Sequence, residues 1–459
     1  MKKKTKSNVW HIQWMLLAFV TLCFTGCKDD NEDQGEAFDP NKPIVISDFS
    51  PKKGGVGNNL ILYGDNFGND ISKVKVTIGG KDARIITVKN KSMYCIIPPK
   101  AYNGDIHVSA LDDNGQVISS AEAESTFKYE KKWMVSTAFG THYENSNEFF
   151  DMKDGSLDAG GGFGNVFWFS WDPLSDYNKL YFTNDGKTTR YLDLEKNEIG
   201  TFSHGFDRVT AMTWTLDGDL ILSHNHSSDT RTANYLYTRE SNYSTRETLG
   251  GYARGVNGSM VHPINGEFYY SRYRAGDMWK YDFETGESSL CFQNPYSGVA
   301  IYLVPHPSGN YAYMLEQEFY FIMRTDYDWI SRTFTTPYAI CGTGNAWGYS
   351  DGIGTHAQLN RPIQGVFVKN PDYAGRDDEY DFYFCDKNNH CVRILTPTGR
   401  VTTFAGRGNN GTSGLFDGEV RTEARFNEPR ALTFDPKRNC FYVGDGLNKI
   451  IRKIAKETE

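Results

Sequence analysis

The sequence lacks the short motifs that mark the common families of soluble enzymes. Its 459 residues contain no CxxC, HExxH, GxSxG or P-loop pattern. Such patterns place metal ligands, a nucleophilic serine or a phosphate-binding loop at fixed spacings. Their absence removes the usual sequence evidence for metalloproteases, serine hydrolases and nucleotide hydrolases. We therefore expect a binding protein rather than an enzyme.

Basic charge and closely spaced cysteines are also scarce. The net charge is −8 and no basic stripe occurs, which argues against nucleic acid as a partner. Six cysteines follow the N-terminal region, at Cys95, Cys291, Cys341, Cys385, Cys391 and Cys440. Cys385 and Cys391 flank a predicted hairpin loop and could form a disulfide across it. Buried free thiols are the favoured interpretation, because the spacing is not that of a dense disulfide scaffold.

The sequence does contain a repeat near its C-terminus. One copy runs from Asp351-Gly352 through Phe382-Tyr383-Phe384 and Asp386 to Arg393, and the next from Asp417-Gly418 through Phe441-Tyr442-Val443 and Asp445 to Arg452. In both copies the Arg follows the second Asp by seven positions. A unit of this size cannot bury its own apolar face, so several copies must stack into a ring or a solenoid.

Four weaker copies precede these two. Each has a turn rich in Pro, Asp, Asn or Gly followed by a short apolar strand, and they recur every 43 to 47 residues from Trp171 onward. This period suits the four-stranded blade of a β-propeller. The six copies resemble NHL repeats, closely in Asp351 to Ile454 and loosely elsewhere. The resemblance implies an all-β, six-bladed propeller over residues 131–459.

The propeller is predicted to close through its first strand. Val401 to Gly406 ends one repeat with an outer strand, Val135 to Gly140 resembles it, and the last repeat stops at Ile454 without such a strand. The segment at Val135 is therefore expected to complete the last blade and leave no open edge. The alternative is that the two Val/Thr-rich strands are unrelated.

The N-terminus resembles a bacterial lipoprotein signal over residues 1–26. Basic lysines precede the apolar stretch from Met15 to Phe24, which is too short to span a bilayer. Gly26-Cys27 then resembles a lipobox, which implies cleavage before Cys27 and lipidation of its thiol; the alternative is an ordinary signal peptide. The polar stretch 27–42 is predicted to be a tether, and its acidic run resembles the surface-export tag of Bacteroides lipoproteins.

Residues 43–130 are predicted to form a separate β-sandwich. Short alternating strands are divided by Gly, Asn and Pro turns, among them Gly64-Asp65-Asn66-Phe67-Gly68. Their order closely resembles the IPT/TIG immunoglobulin-like family. That resemblance implies a spacer or a binding module.

Several cationic and aromatic residues are predicted to share one rim of the propeller. In NHL propellers, the loop after the second strand of a blade and the loop into the next blade lie on the same face. This places the candidate ligand-binding residues together: Arg208, Arg254, Arg272, Tyr273, Arg274 and Arg361. Guanidinium groups suit carboxylate or sulfate and aromatic rings cover the apolar faces of sugars, so we expect a glycan site that favours acidic sugars. The alternative is that these side chains satisfy loop backbone and one another.

Histidines leave a catalytic alternative open. Some six-bladed propellers, including a lyase relative of NHL proteins, hold a divalent metal in the channel. Here the candidate ligands are His224, His226, His356 and His390. Zinc needs three such ligands and an open position, and the sequence does not establish that these residues converge. No cofactor is expected, and a metal-dependent lyase or hydrolase is the second hypothesis.

The domain order resembles that of the surface glycan-binding lipoproteins of Bacteroides polysaccharide-uptake systems. We accordingly expect a lipid-anchored outer-membrane protein that faces the cell exterior and binds a polysaccharide or oligosaccharide without cleaving it. An outer-membrane transporter and companion lipoproteins are the expected protein partners. This expectation rests on the arrangement of domains and not on a sugar-binding motif. A protein-docking scaffold is the third hypothesis.

Overall fold

The computed structural model describes residues 35–140, 154–159, 163–184, 188–203, 208–228, 231–250, 254–273, 275–296 and 298–458. The chain divides into two compact units, one ending at Lys132 and the other comprising Trp133–Glu457. The predicted signal peptide, Cys27 and the first part of the predicted tether lie outside the described residues. In the described ranges, no helix has the length and apolar character needed to cross a membrane.

The first unit is a β-sandwich. Its strands are β1 Val45–Ser50, β2 Lys53–Gly54, β3 Asn59–Asp65, β4 Val74–Ile78, β5 Lys81–Asp82, β6 Arg84–Lys89, β7 Ser92–Ile96, β8 Ile106–Leu111, β9 Val117–Glu122 and β10 Lys128–Tyr129. They form sheets of order β1-β3-β7-β6 and β5-β4-β8-β9, while β2 pairs with β10. Alternate residues of β4, namely Val74, Val76 and Ile78, are buried, because successive side chains of a strand point to opposite faces.

The end of the predicted tether packs on this sandwich. The backbone N–H of Asp39 donates to the Asn66 side chain at 2.8 Å, and the Asn66 amide donates to the carbonyls of Asp39 at 2.9 Å and Lys42 at 2.8 Å. The ring of Phe38 contacts the apolar core of the unit. Residues 35–42 are therefore held on the sandwich and are not a free linker, because the Asn66 turn satisfies their backbone.

The second unit is also built from strands. They are β11 Trp133–Phe139, β12 Gly155–Ser156, β13 Val166–Trp171, β14 Lys179–Asn184, β15 Thr189–Asp193, β16 Glu198–Ser203, β17 Arg208–Trp214, β18 Leu220–Asn225, β19 Asn234–Tyr237, β20 Arg246–Leu249, β21 Val256–Val261, β22 Phe268–Arg272, β23 Asp277–Tyr281, β24 Ser288–Gln293, β25 Ile301–Pro305, β26 Tyr311–Glu316, β27 Phe321–Asp328, β28 Thr333–Phe334, β29 Tyr338–Gly342, β30 Gly352–Ile353, β31 Pro362–Lys369, β32 Tyr380–Asp386, β33 Cys391–Leu395, β34 Arg400–Gly406, β35 Gly418–Glu419, β36 Pro429–Asp435, β37 Cys440–Asp445 and β38 Ile450–Lys456. Helical structure in the described ranges is limited to single turns: Ile71–Lys73, Leu157–Ala159, Gly354–His356, Pro371–Tyr373, Lys387–Asn389, Gly408–Gly411 and Gly446–Asn448. The predicted all-β class is confirmed.

These strands form six antiparallel sheets arranged as a ring. Blades 1 to 6 have β13, β17, β21, β25, β31 and β36 as their innermost strands. Each innermost strand contacts that of the next blade, and β36 contacts β13. The second unit is thus the six-bladed propeller that the repeats predict.

The strand β11 closes the ring. It lies against β38 in blade 6, with Trp133 opposite Lys456 and Val135 opposite Ile454. On its outer side β11 pairs with the short strand β35. The predicted closure is confirmed, and the outer edge of β38 is covered by the first strand of the propeller.

A buried ion-pair network explains the Asp–Arg spacing of the repeat. In blade 5, the Arg393 guanidinium is fully buried and donates to the carboxylates of Asp386 and Asp351, at 2.9 Å each. The backbone N–H of Thr403, on the outermost long strand, donates to Asp351 at 3.2 Å. The network therefore joins the second, third and fourth strands of the blade, and the buried guanidinium is paired with carboxylates.

Blade 6 repeats the network with a residue from the closing strand. Arg452 donates to Asp445 at 3.0 Å and to Asp417 at 2.5 Å. Asp417 accepts the backbone N–H of Thr137 at 3.2 Å, as Asp351 accepts that of Thr403. Thr137 lies on β11, so the closing strand supplies the contact that blade 5 makes within its own repeat.

Blade 1 has a reduced form of this network, which the repeats read from the sequence did not reveal. Buried Arg190 pairs with Asp154 at 3.1 Å, and Asp154 accepts the Thr201 N–H at 2.9 Å. At the position that Asp386 occupies in blade 5, blade 1 has Asn184, which ends its second strand. With only part of the pattern kept, the repeat is hard to recognise in the sequence although its fold is the same.

The cysteines of the described ranges are all free thiols. Cys385 and Cys391 are both fully buried on adjacent strands of blade 5. Burial raises the pKa of the Cys385 thiol well above its ordinary value. The structure supports the interpretation of buried thiols over a disulfide across the hairpin.

Candidate functional site

One rim of the propeller collects the ends of two strands from every blade. Each innermost strand begins where the second strand of the same blade ends, as the pairs Arg208–Asn225, Val256–Arg272 and Pro362–Asp386 illustrate. We call this face the upper rim. It is the face on which the sequence placed the candidate ligand-binding residues.

Two of those residues, Arg208 and Arg361, act electrostatically on the same carboxylate, that of Glu318. Glu318 follows the second strand of blade 4 and accepts the backbone N–H of Ala300 at 2.8 Å. Burial raises the pKa of Glu318, whereas the positive charges of Arg361 and Arg208 oppose that rise. The guanidinium of Arg208 also lies 5.1 Å from the ring centroid of Phe167 in blade 1. Arg208 therefore contacts blade 1 through Phe167, and the charges of Arg208 and Arg361 act on Glu318 of blade 4.

Blades 5 and 6 add two more cations. The Lys387 ammonium and the Arg430 guanidinium both contact one oxygen of Glu428, at 2.9 Å each. Burial is the main cause of the lowered pKa of Lys387, and the charges of Arg430 and Arg361 add to it against the effect of Glu428.

Together these residues form a charged cluster at the upper rim that we call the cationic mouth. It comprises Arg208, Arg361, Lys387 and Arg430 with the carboxylates Glu318 and Glu428. The four cations exceed the two carboxylates in a chain whose net charge is −8. Such a local field attracts anions, and arginine forks bind planar carboxylates or phosphates in a bidentate manner. Sequence reasoning missed Arg430 and Glu428 because they lie at the entrance to blade 6, where no candidate was sought.

A neighbouring glutamate does not reduce this positive charge at neutral pH. Glu316 is fully buried at the end of β26, and one carboxyl oxygen accepts from the Asn294 amide at 2.6 Å. Within the described residues, its other oxygen has no hydrogen-bond partner. Burial raises the pKa of Glu316 to about 8, so the carboxyl is protonated at pH 7.

Gln364 lies at the centre of the propeller. Its side-chain oxygen accepts the N–H groups of Phe169 at 2.9 Å and Leu432 at 3.1 Å, and its amide donates to the Phe169 carbonyl at 2.7 Å. One side chain thus joins the innermost strands of blades 5, 1 and 6 below the mouth.

The other predicted ligand residues lie in blade 3 or outside the described ranges. Arg272 is committed to Asp277: its Nε donates to the carboxylate at 2.8 Å, and its guanidinium also contacts the Trp279 ring. Tyr273 and Arg254 are half-buried in neighbouring loops of the same blade. Arg274 lies outside the described residues. The arrangement of Arg272 agrees with the alternative that some rim side chains satisfy one another.

The four candidate metal ligands occupy different surroundings. His224 is buried edge-on against the Tyr235 ring, and His226 contacts the carbonyl of Thr232 at 3.1 Å. His390 accepts the backbone N–H of Glu428 at 3.1 Å, while His356 is exposed in the turn Gly354–His356. Across the described ranges, no three His, Cys, Asp or Glu side chains are grouped to hold a metal ion.

Comparison with known proteins identifies relatives of both units. Residues 43–129 match the family model of the IPT/TIG domain. A crystal structure of an auxiliary nutrient binding protein from Bacteroides thetaiotaomicron is 48% identical, with a TM-score of 0.77 over 92% of this chain and 100% of that one. An auxiliary nutrient binding protein from Bacteroides ovatus is 42% identical, with a TM-score of 0.72 over 92% of this chain and 100% of that one.

Two further relatives are similar to all or part of this chain. Another B. thetaiotaomicron structure, whose name proposes phosphatase activity for it, is 35% identical, with a TM-score of 0.79 over 92% of this chain and 99% of that one. Human NHL repeat-containing protein 2 is 33% identical over 117 residues, which are 25% of this chain and 14% of that protein. The matched segment thus spans about a seventh of that curated relative. The resemblances to IPT/TIG domains and NHL repeats are confirmed.

Proposed function

Because this chain belongs to the family of Bacteroides proteins that join an IPT/TIG domain to an NHL-type propeller, we propose that it is a nutrient-binding protein without catalytic activity. Two relatives that share its whole architecture are named auxiliary nutrient binding proteins. The proposed nutrient is an extracellular glycan that carries acidic groups. The cationic mouth is the observation that carries this proposal.

The mouth fits an acidic sugar better than a neutral one. Its four cations come from three blades and surround only two carboxylates. A uronate or sulfated unit would place its anion among these groups and gain charge-assisted hydrogen bonds, each worth about 1.5–3 kcal/mol. Arg254 and Tyr273, in blade 3, would extend the site along the rim.

The proposed location is the outer membrane, with the protein facing the cell exterior. Cys27, after the short apolar segment, is the proposed lipid anchor. The tether and the IPT/TIG domain would then separate the propeller from the membrane. Its proposed partners are an outer-membrane transporter and companion lipoproteins, to which captured chains would pass.

An enzyme is the second hypothesis. A divalent metal held by His224, His226, His356 or His390 would support lyase or hydrolase chemistry, and the name of one relative proposes phosphatase activity for that protein. The different surroundings of the four histidines favour binding over this hypothesis.

Glycan-array binding by the mature protein tests the proposal. Wild-type protein should bind acidic polysaccharides such as polygalacturonate, alginate or chondroitin sulfate, and Arg361→Gln and Lys387→Gln should each weaken binding about tenfold or more. Arg400→Gln, an exposed arginine at the start of β34 away from the mouth, is the matched control and should bind as wild type does. Equal binding by all variants would remove the mouth from the site.

The same samples separate binding from catalysis. With bound glycan and Mg²⁺, Ca²⁺ or Zn²⁺, we expect no new reducing ends, unsaturated products or released phosphate. Turnover that is lost in His224→Ala would establish the enzyme. Failure to bind any glycan would favour a protein-docking scaffold.

A further inference from the structure

A deep groove lies on the propeller face opposite the upper rim. It is bounded by the connections between the first and second strands of blades 1, 4, 5 and 6, at Tyr177, Pro307, Pro371 and Pro436. These connections occupy the other end of the strands that begin and end at the mouth. The groove has a volume of about 900 Å³, which is the size of a pocket for an oligosaccharide or a large small-molecule ligand. We call it the aromatic groove.

Aromatic side chains from several blades form its walls. Phe367 and Phe441 also line the groove, but both are buried. Six further rings are only partly buried, and Tyr177 among them is 38% exposed. They are Trp133, Trp171, Tyr177, Tyr380, Tyr383 and Phe434. Their faces are thus available to a ligand although the rings lie within the fold.

Packing and hydrogen bonding fix the positions of these rings. The Trp171 indole donates to the Phe434 carbonyl at 3.0 Å and meets the Tyr177 ring edge-on at 5.5 Å. The Tyr383 ring lies 4.6 Å from that of Phe441, on the second strand of blade 6. The walls are therefore ordered before a ligand arrives, which lowers the entropic cost of binding.

Polar groups lie among the rings where a sugar would need them. Lys369, Asn439 and Lys456 also line the groove and are exposed. The Lys456 ammonium lies 5.6 Å from the centroid of the Trp133 ring. Aliphatic side chains are few in the lining: apart from prolines, they are Val366 and Val368. A saccharide needs aromatic rings to pack on its C–H faces and hydrogen-bond donors for its hydroxyl groups, and this groove offers both. A lipid or an apolar helix would instead require an aliphatic lining.

We propose that the aromatic groove is a second saccharide-binding site, which takes the uncharged carbon faces of a sugar chain while the cationic mouth takes acidic groups. This inference rests on the proposed function in glycan binding but concerns a different surface and a different recognition chemistry. A polysaccharide held at two faces of one propeller gains apparent affinity with chain length, because the second contact forms within the complex.

Binding of neutral hexasaccharides to the full mature protein tests this site. Maltohexaose, cellohexaose, mannohexaose and xylohexaose are titrated by calorimetry into wild type, Tyr177→Asn and Lys456→Ala. Asparagine is chosen because Tyr177 has a φ of 55°, a conformation that Asn tolerates. At least one hexasaccharide should bind, and Tyr177→Asn should weaken its binding about tenfold by removing a stacking ring. Lys456→Ala, on the surface, should weaken it several-fold without affecting folding.

The controls separate this site from the mouth. Trp329→Ala removes a 47% exposed ring outside the groove and should not change hexasaccharide binding. Arg361→Gln should weaken the binding of acidic glycans and leave the binding of neutral glycans unchanged. The proposal of a groove site would be wrong if none of the four hexasaccharides bound. It would also be wrong if the affinity for a neutral hexasaccharide were the same in wild type and both groove variants. In either case, acidic binding that depends on Arg361 would show that the proposed function still holds.

Discussion

Replacing Glu316 with Gln should stabilise the propeller in a pH-dependent way. Burial raises the pKa of this carboxyl from 4.5 to about 8 in the folded chain. Below pH 4.5 the carboxyl is protonated whether the chain is folded or unfolded, so it imposes no penalty. Between pH 4.5 and 8 the unfolded chain releases the proton and the folded chain retains it, so stability falls as the pH rises. Above pH 8 the penalty is constant.

The size of the effect follows from the same two values. Each pH unit crossed between them costs about 1.4 kcal/mol, which gives an upper bound on the order of 4–5 kcal/mol at pH 8. A glutamine is always neutral and keeps the oxygen that accepts from Asn294. Glu316→Gln should therefore match wild type near pH 4.5 and exceed its unfolding free energy by a few kcal/mol at pH 8.

Tryptophan fluorescence during urea unfolding measures this difference in the propeller. Every tryptophan after Trp14 lies at or beyond Trp133, so in the mature protein the signal follows the second unit. The matched control is Glu287→Gln, which neutralises an exposed carboxyl of blade 3 and should change the unfolding free energy by less than about 0.5 kcal/mol. A Glu316→Gln variant whose stability relative to wild type is the same at pH 5 and pH 8 would refute the reasoning.

Three further outcomes follow from the sequence and the fold. Deleting residues 131–140 removes β11 and exposes β38, so we expect aggregation or a large fall in melting temperature, and an unchanged melting temperature would refute the closure argument. Arg452→Met leaves buried Asp445 without its ion pair, and urea unfolding should show a loss of about 3–5 kcal/mol; a loss below about 1 kcal/mol would count against the network. Cys27→Ala should move the protein from the membrane fraction to the soluble fraction of cells, and retention in the outer membrane would place the anchor elsewhere.

The propeller could be predicted because its repeat leaves local signals in the sequence. The seven-residue spacing from Asp386 to Arg393 is the length of the hairpin that brings the two side chains together. The resemblance between the strands at Val135 and Val401 likewise reflects one position in the blade, since Thr137 and Thr403 make the same contact. Signals of this kind survive as long as the side chains that make the contact are retained.

The candidate site could be predicted only in part, because it depends on contacts between blades. The sequence placed Arg208 and Arg361 on one rim, but only the folded ring shows that the charges of both act on Glu318 in another blade. The pairing of Arg272 with Asp277 had a usable signal, since the two residues face each other across the hairpin of β22 and β23. The aromatic groove left no local signal in the sequence, because its walls come from residues far apart in the chain, such as Trp133 and Tyr383.

Calorimetric titration of the mature protein with an acidic glycan, at low and high salt, tests the central claim most directly. Wild type should bind with an affinity that falls as salt rises, because salt screens the attraction between an anionic glycan and the cations of the mouth, with a screening length of about 10 Å at 0.1 M. The double variant Arg361→Gln/Lys387→Gln should lose most of the affinity and most of the salt dependence, with the glycan recovered intact. Equal affinity and equal salt dependence in wild type and double variant would contradict binding at the cationic mouth.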